Sequence, residues 1–302
     1  MKRLSIIIVT YNSEKDIYDC INSIRQWTDI PMEELELIVV DNNSRETDTM
    51  FATLKQLYGN DIVLIRNTRN GGYGQGNNLG IRKATAPVIL IMNPDVRMME
   101  PIFKTALDAF DQSKDLSMYG MKQMLSASEP STNSFCCAYT VNGYLQTFMS
   151  SLGNRYDRYI PRYMHFSGSC FFIRKEMFEQ AGLFDEAIFM YGEEEDIHYR
   201  MRKKGFAHMV YNPRLHYIHL TKEREPNLAY EIKLLDVAIA QSRKKGCTER
   251  RIIKNRLENN TILLLREKLL VWKGKKDKRQ LHLLQEFRKE IKQRLKRYNE
   301  PK

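Results

Sequence analysis

The chain has 302 residues, 42% hydrophobic and 28% charged, enough for one large domain or a domain with an appendage, and no apolar run approaches the roughly 18 residues of a membrane span. Its five cysteines (Cys20, Cys136, Cys137, Cys170 and Cys247) are odd in number and form no C-x-x-C pair, which argues against a zinc ribbon or a disulfide framework and for a reducing cytosol. The net charge of +11 is uneven: residues 243–302 carry 21 Lys or Arg against 7 Asp or Glu, and residues 1–242 carry 27 against 30, so the basic character belongs to the tail.

Lys2 and Arg3 precede an apolar run, Ile6 to Val9, that is too short for the core of a signal peptide. Residues 4–10 read as a buried first strand and residues 13–26 as a helix with Ser13 at its N-cap. A second strand over 35–40, a helix over 47–58, a third strand over 62–66, a helix over 77–84 and a fourth strand over 88–92 follow. This alternation predicts a mostly parallel sheet with helices on both faces and ligands at the carboxyl ends of its strands. Polar clusters follow all four strands: Thr10-Tyr11-Asn12, Asp41 to Ser44, Asn70-Gly71-Gly72 and Asn93-Pro94-Asp95. Residues 116–162 lack periodicity and read as a variable, substrate-facing region. A strand over 165–174 and helices over 175–181 and 195–204 come next, and from Leu228 the pattern is helical, with Gly246 and Gly274 as breaks.

Asp41 directly follows the apolar run 37–40, so its carboxylate is expected in the crevice, accepting hydrogen bonds from a nucleotide base or ribose. Asp41-Asn42-Asn43-Ser44 is equally a good turn or helix cap. The segment 70–78 fails the G-x-G-x-x-G spacing and follows the third strand, which disfavours a hydride-transferring enzyme. Its glycines permit close backbone approach to a diphosphate or sugar, with Asn77 and Asn78 as caps of the next helix. Asp95 offers a hard oxygen where a diphosphate-bound Mg²⁺ or Mn²⁺ would sit, although Asn, Pro and Asp also end strands in ordinary turns. The run Glu193-Glu194-Glu195-Asp196 lies between Phe189-Met190-Tyr191-Gly192 and a helix start. It reads as solvated surface, as acids on a helix N-terminus, or as a site where one partly buried carboxylate is general base toward a sugar hydroxyl.

Together these stretches resemble family 2 of the glycosyltransferases, and within it the rhamnosyltransferase-like branch. Residues 5–12 are similar to the family's opening strand, 39–44 to its nucleotide-binding turn, 70–80 to the branch's glycine and asparagine loop, and Asn93-Pro94-Asp95-Val96 to its variant of the D-x-D metal motif. Residues 168–174 and 182–186 resemble the stretch before the acidic base motif, commonly Glu-Asp-x-Asp ahead of an Arg. Here Glu193 to Asp196 precede Arg200, and Glu194 stands where the catalytic Asp is usual. Residues 213–219 resemble the segment whose histidine lies near metal and diphosphate; His216 and His219 compete, and the spacing favours His219.

The resemblance implies a GT-A nucleotide-sugar-binding fold, α/β with a mostly parallel central sheet, over residues 1–226, and a basic helical C-terminal region over 227–302. It implies an inverting, metal-dependent transfer of a sugar, rhamnose among the candidates, from a nucleotide diphosphate to an acceptor hydroxyl in cell-surface polysaccharide synthesis. Glu194 is the expected base, with Glu193 and Asp196 in the same catalytic run. The implied donor residues are Thr10, Tyr11, Asn12, Asp41, Asn43, Asn70, Gly71, Gly72, Asn77 and Asn93; Gly168, Ser169 and Tyr191 face the acceptor; Asp95 and His219 hold Mg²⁺ or Mn²⁺. The donor is dTDP-rhamnose or a UDP-sugar, and the acceptor a saccharide or lipid-linked saccharide.

The Glu194 departure motivates an alternative, a catalytically impaired sugar-nucleotide binding protein. Nucleotidyl transfer would share the diphosphate and metal but would not need an acid cluster facing an acceptor. Nucleic acid is not an expected partner, because no zinc, helix-turn-helix or aromatic-basic module is present. The expected location is the cytoplasm, peripheral on the inner face of the cell membrane. Residues 262–265 and 269–272 form an apolar helix face in a basic context, suited to an anionic membrane surface or to a second subunit in a homodimer.

Overall fold

A computed structural model describes residues 1–220 and 227–299. The chain divides into two compact units, Met1–Ser134 with Phe166–Thr221, and Phe135–His165 with Lys222–Lys302. The expected boundary at residue 226 falls in the segment 221–226, outside the described residues.

The first unit begins as strand and helix in alternation: β1 (Leu4–Thr10), α1 (Glu14–Trp27), β2 (Leu35–Asp41), α2 (Thr47–Tyr58), β3 (Ile62–Arg66), α3 (Gly72–Lys83) and β4 (Val88–Met92). It continues with β5 (Val96–Met98), α4 (Phe103–Gln112) and β6 (Met118–Met124). After an excursion through β7 (Phe135–Cys137), α5 (Gly143–Arg155) and β8 (Met164–Phe166), the chain resumes with β9 (Cys170–Arg174), α6 (Lys175–Gln180), α7 (Glu193–Lys203) and β10 (Met209–His219). The main sheet has eight strands in the order β3-β2-β1-β4-β9-β6-β10-β5. The strands β1 to β4 are mutually parallel, β9 runs against both β4 and β6, β10 is parallel to β6, and β5 is antiparallel to β10. The sheet is therefore mostly parallel, as expected, with two reversed strands.

The continuous apolar runs of β1, β2 and β4 bury both of their faces. Leu4, Ile6 and Ile8 meet Ile17, Ile21 and Ile24 of α1 and the apolar sides of α2 and α4 in one core. On the opposite face Ile7 and Val9 meet α3, and no side chain fits between: a Cβ on Gly80 would lie 2.6 Å from Ile7 Cγ2, and one on Gly76 2.7 Å from Val9 Cγ1. In β10 the register with β6 shifts between Asn212 and His216, around Pro213, which has no N–H to give to a ladder.

Three expectations need correction. The helix placed at 77–84 begins at Gly72, because its glycines pack the helix onto β1. The strand placed at 165–174 is two strands separated by Ser167-Gly168-Ser169. Ser13 precedes α1 but makes no side-chain capping bond; its hydroxyl donates to the Tyr11 carbonyl at 3.2 Å.

The second unit holds α5, the two-stranded sheet of β7 and β8, and the helices α8 (Leu228–Ser242), α9 (Glu249–Trp272) and α10 (Arg279–Asn299). The breaks expected at Gly246 and Gly274 are present, with φ of 64° and 65°. Its core joins Leu235 of α8, Ile252 and Ile253 of α9, and Phe287 and Ile291 of α10. Among the described residues no helix is long and apolar enough to cross a membrane.

Candidate active site

The strand directions bring the carboxyl ends of β1, β2, β3, β4, β6 and β10 to one edge of the sheet, where β5 and β9 begin. Asp41 ends β2 there, but its carboxylate turns inward. Thr10 Oγ1 and Ser44 Oγ donate to Oδ1 at 2.9 and 2.5 Å, and the Ser44 amide and Thr47 Oγ1 donate to Oδ2 at 2.9 and 2.5 Å. A buried anion needs donors in place of water, and these four supply them. In this structure Asp41 and Thr10 thus knit the turn together. What the turn offers outward is Tyr11, Asn12 and Asn43, all exposed, with Asn12 and Asn43 in the left-handed region at φ of 50° and 63°.

The glycine loop is likewise turned toward the protein. Asn70 Oδ1 accepts from the Gly72 amide at 3.0 Å, and Asn42 Nδ2 donates to the Gly72 carbonyl at 2.9 Å. Gly72, at φ 87°, lies so close to Phe189 that a Cβ would sit 1.9 Å from its carbonyl oxygen, and the Tyr73 amide donates to that same oxygen at 3.1 Å. Gly71 is equally crowded by the Gln75 side chain. Asn77 and Asn78 lie inside α3 and do not cap it. Asn77 Nδ2 donates to the Tyr73 carbonyl at 2.9 Å, while Asn78 brackets Phe184 through that residue's carbonyl and amide at 2.9 and 3.0 Å.

Beyond β4, Asp95 and His219 come together. The register pairs Val96 with His219, the Leu220 amide donates to the Asp95 carbonyl at 2.9 Å, and His219 Nε2 stands 3.3 Å from Asp95 Oδ1. His216, the competing histidine, is engaged elsewhere, its Nδ1 being 2.8 Å from Glu100 Oε1. The other ring nitrogen of His219, Nδ1, is buried and lacks a hydrogen-bond partner. A hard carboxylate oxygen beside an imidazole nitrogen, His219 Nε2, suits a divalent ion that takes its other ligands from phosphate oxygens. Among the described residues no group of three or more His, Cys, Asp or Glu side chains is placed to hold a metal on its own.

The acid run opens α7 through two consecutive left-handed residues, Tyr191 at φ 75° and Gly192 at 97°. Its members part ways. Asp196 is buried and accepts from Arg200 Nε and Nη2 at 2.8 and 2.7 Å, and Arg200 in turn donates to the carbonyls of Ala181 and Leu183 at 2.5 and 2.6 Å. The Asp196 carboxylate thus orients a clamp of Arg200 on the Ala181 and Leu183 carbonyls. Glu193 is buried, and its carboxyl is pushed up to about 8 by loss of water and by the charge of Glu194. Glu194 is half-buried and lies against Gly168, where a Cβ would meet its Oε1 at 1.9 Å.

Tyr73 completes this corner. Its hydroxyl donates to the Gly168 carbonyl at 2.5 Å, and burial, followed by the charges of Glu194 and Glu193, raises its phenol. The Asn93 amide donates to the Ser169 carbonyl at 2.8 Å, so the turn carrying Asp95 is bonded to the turn that Glu194 touches. Ser169 is not open to an acceptor. Its hydroxyl is buried 2.9 Å from Tyr217 Oη and 3.3 Å from Gln123 Oε1. Tyr73, Gln123 and Tyr217 were not legible as site residues, because they come from a glycine loop, an aperiodic stretch and the interior of a strand.

A family model described as Glycosyl transferase family 2 matches residues 5–182. The low-salt glycan biosynthesis hexosyltransferase Agl10 of Haloferax volcanii is 30% identical over 207 residues, 67% of this chain and 62% of that protein. The poly(ribitol-phosphate) beta-N-acetylglucosaminyltransferase TarS of Staphylococcus aureus is 29% identical over 123 residues, 40% of this chain and 21% of that protein. The chain thus spans less than two thirds of either relative. Among solved structures, the mannosyltransferase PcManGT from Pyrobaculum calidifontis, in complex with GDP-Man and Mn²⁺, superposes with a TM-score of 0.63 at 15% identity, over 99% of this chain and 88% of that one. TarS 1–349 with UDP-GlcNAc superposes at 0.53 and 18% identity, over 97% and 82%. These likenesses show a shared GT-A fold.

Proposed function

The chain belongs to glycosyltransferase family 2, and on that premise we propose that it is an inverting hexosyltransferase, using a nucleotide-sugar donor in the synthesis of a cell-surface glycan. The observation that carries this reading is the bonded pair of turns: Asn93 to Ser169 ties the Asp95–His219 pair to the Gly168–Glu194 contact. Leaving-group and acceptor chemistry are thereby joined at one sheet edge.

Two adjacent carboxyls carry a single charge at least cost, and burial makes Glu193 the protonated one. Glu194, more accessible, is then the carboxylate that takes the proton of the acceptor hydroxyl while that oxygen bonds to the anomeric carbon. The bond from that carbon to the diphosphate oxygen breaks on the opposite face, so one displacement inverts the configuration and releases the nucleoside diphosphate. Asp95 and His219 would hold a Mg²⁺ or Mn²⁺ ion, which supplies neutralisation of the leaving phosphate charge. Tyr11, Asn12 and Asn43 are the outward groups for the nucleoside, dTDP-rhamnose and UDP-sugars being the donors of first choice. On this reading the first unit, Met1–Ser134 with Phe166–Thr221, carries the catalysis, and the basic helical region 227–302 keeps the enzyme at the inner membrane face, within reach of a lipid-linked saccharide.

Incubating the protein with dTDP-, UDP- and GDP-sugars and Mn²⁺, and following released nucleotide and anomeric configuration by NMR, tests the reading. Release of nucleoside diphosphate with an inverted product or inverted free sugar supports it. Nucleotide binding without turnover of any donor would favour instead a catalytically impaired binding protein, the reading motivated by Glu194 in place of the family's Asp.

A further inference from the structure

Helix α9 adds to its core contacts two features unusual for a helix packed in water, buried polar side chains and exposed apolar ones. Its inward side buries Asn255, Asn259, Asn260 and Glu267 along with Ile252, Ile253 and Leu264, while Leu265, Leu269 and Trp272 stand 60%, 49% and 80% exposed. These three residues, spaced four and three apart, share one stripe; followed toward the N-terminus at helical period it is covered at Glu258, which is buried against Asn142 and Gly143 at the start of α5, and reopens at Lys254 and Arg250, both exposed. Lys268 is exposed between the leucines. The helix has 24 residues and so is about 36 Å long, with cations at its start and apolar side chains mixed with cations at its end.

The cationic end carries a cavity of about 280 Å³, lined by Arg250, Arg251, Lys254, Thr248, Asn142 and Asn255, with Glu258 at its side. Glu258 is already engaged, accepting from Asn142 Nδ2 at 2.9 Å and the Gly143 amide at 3.2 Å and standing 3.8 Å from Lys254 Nζ. Asn142 is also the N-cap of α5, whose next two turns expose Tyr144, Leu145 and Phe148. A cavity lined by three cations thus borders a second set of exposed apolar side chains.

We propose that the second unit docks on an anionic bilayer with α9 lying in the plane of the interface: Leu265, Leu269 and Trp272 enter the headgroup layer, and the cavity at Arg250, Arg251 and Lys254 receives a lipid phosphate. The stripe selects lipid because apolar side chains alternate with cations, the pattern of an interfacial helix. A second copy of the chain is disfavoured by charge, since residues 243–302 carry an excess of 14 positive charges and would face the same excess. The inference deepens the membrane part of the proposed function and does not depend on the transfer chemistry.

Co-sedimentation with phosphatidylcholine vesicles, with and without phosphatidylglycerol, and the emission of Trp272 in a Trp27→Phe background are the test. The expected result is binding to the anionic vesicles, release by high salt, and a blue shift of Trp272. Arg250→Gln, Arg251→Gln and Lys254→Gln together lower partitioning by about a hundredfold, and Leu265→Glu with Leu269→Glu by at least about tenfold. Both sets are surface changes, and unaltered thermal stabilisation by UDP or dTDP with Mn²⁺ shows that the first unit is intact. Equal partitioning onto neutral vesicles, no partitioning, or an unshifted Trp272 on bound protein would overturn the proposal. So would loss of a dimer in the leucine variant with vesicle binding unchanged. Absence of sugar transfer in the wild-type protein, with vesicle binding as expected, would count against the enzymatic reading alone.

Discussion

Glu193→Gln isolates the protonated carboxyl beside the proposed base. In the fold the Glu193 carboxyl is pushed from 4.5 to about 8, chiefly by burial and then by Glu194, whereas in the unfolded chain it titrates normally. The folded state therefore binds this proton more tightly, and the resulting stabilisation is fully present below about pH 4.5 and lost as pH rises through about 8. A rise of that size corresponds to at most about 5 kcal/mol, with about 1.5 kcal/mol remaining at pH 7 and almost none at about pH 9. Gln has the shape of the neutral acid and no proton to lose. Its stability relative to the wild type should accordingly climb by up to about 4 kcal/mol between about pH 5 and 9, all other titrating groups being common to both proteins. Urea unfolding of the two proteins across that range reads the difference directly. Parallel stability curves would refute the assignment of the proton to Glu193, and with it the account of why Glu194 carries the charge.

Glu194→Gln is expected to leave donor affinity nearly unchanged and to lower turnover by at least about a hundredfold, with Glu193→Gln costing less; steady-state kinetics showing the reverse order would make Glu193 the base. Asp95→Ala should abolish Mn²⁺-dependent nucleotide binding in calorimetric titration while circular dichroism stays native, and unchanged affinity would remove Asp95 from the metal site. Asp41→Ala leaves the Thr10, Ser44 and Thr47 hydroxyls and the Ser44 amide without their shared acceptor, so denaturant unfolding should register a loss of about 3 kcal/mol; a loss below about 1 kcal/mol would show that the turn holds without it.

The elements legible in the sequence are those whose ends are polar, β1 and β4 being buried almost throughout and β3 and α2 only in part. The runs forming β1, β3, α2 and β4 could be read to the residue because their apolar stretches are bounded by turn chemistry on both sides. By contrast, β10 was not legible, since it is a partly exposed strand whose middle reads Asn212-Pro213-Arg214 and carries a bulge, the opposite of a buried run. The start of α3 was missed for a related reason: four glycines read as a loop, yet Gly76 and Gly80 are there to bring a helix against Ile7 and Val9. At the site, spacing indicated which residues gather at the sheet edge, Asp95 with His219 among them. It carried no information on side-chain direction, and so Asp41, Ser169 and Asp196, each turned inward onto a hydroxyl network or a guanidinium, looked available for ligands.

The hold of α3 on the segment leading to the acids has a further consequence for how such chains diversify. Gly72 is pressed onto Phe189, the Tyr73 amide is bonded to the same residue, and Asn78 grips Phe184 by both backbone groups. The loop on one side of the crevice and the acid-bearing turn on the other are therefore a single mechanical unit. A chimera that imports residues 184–194 from a relative without the matching 70–78 would receive a base motif with its mounting removed. Changes at Gly72, Asn78, Phe184 and Phe189 should be tolerated only as sets, so recombination between relatives is best cut outside this pair of segments rather than between them.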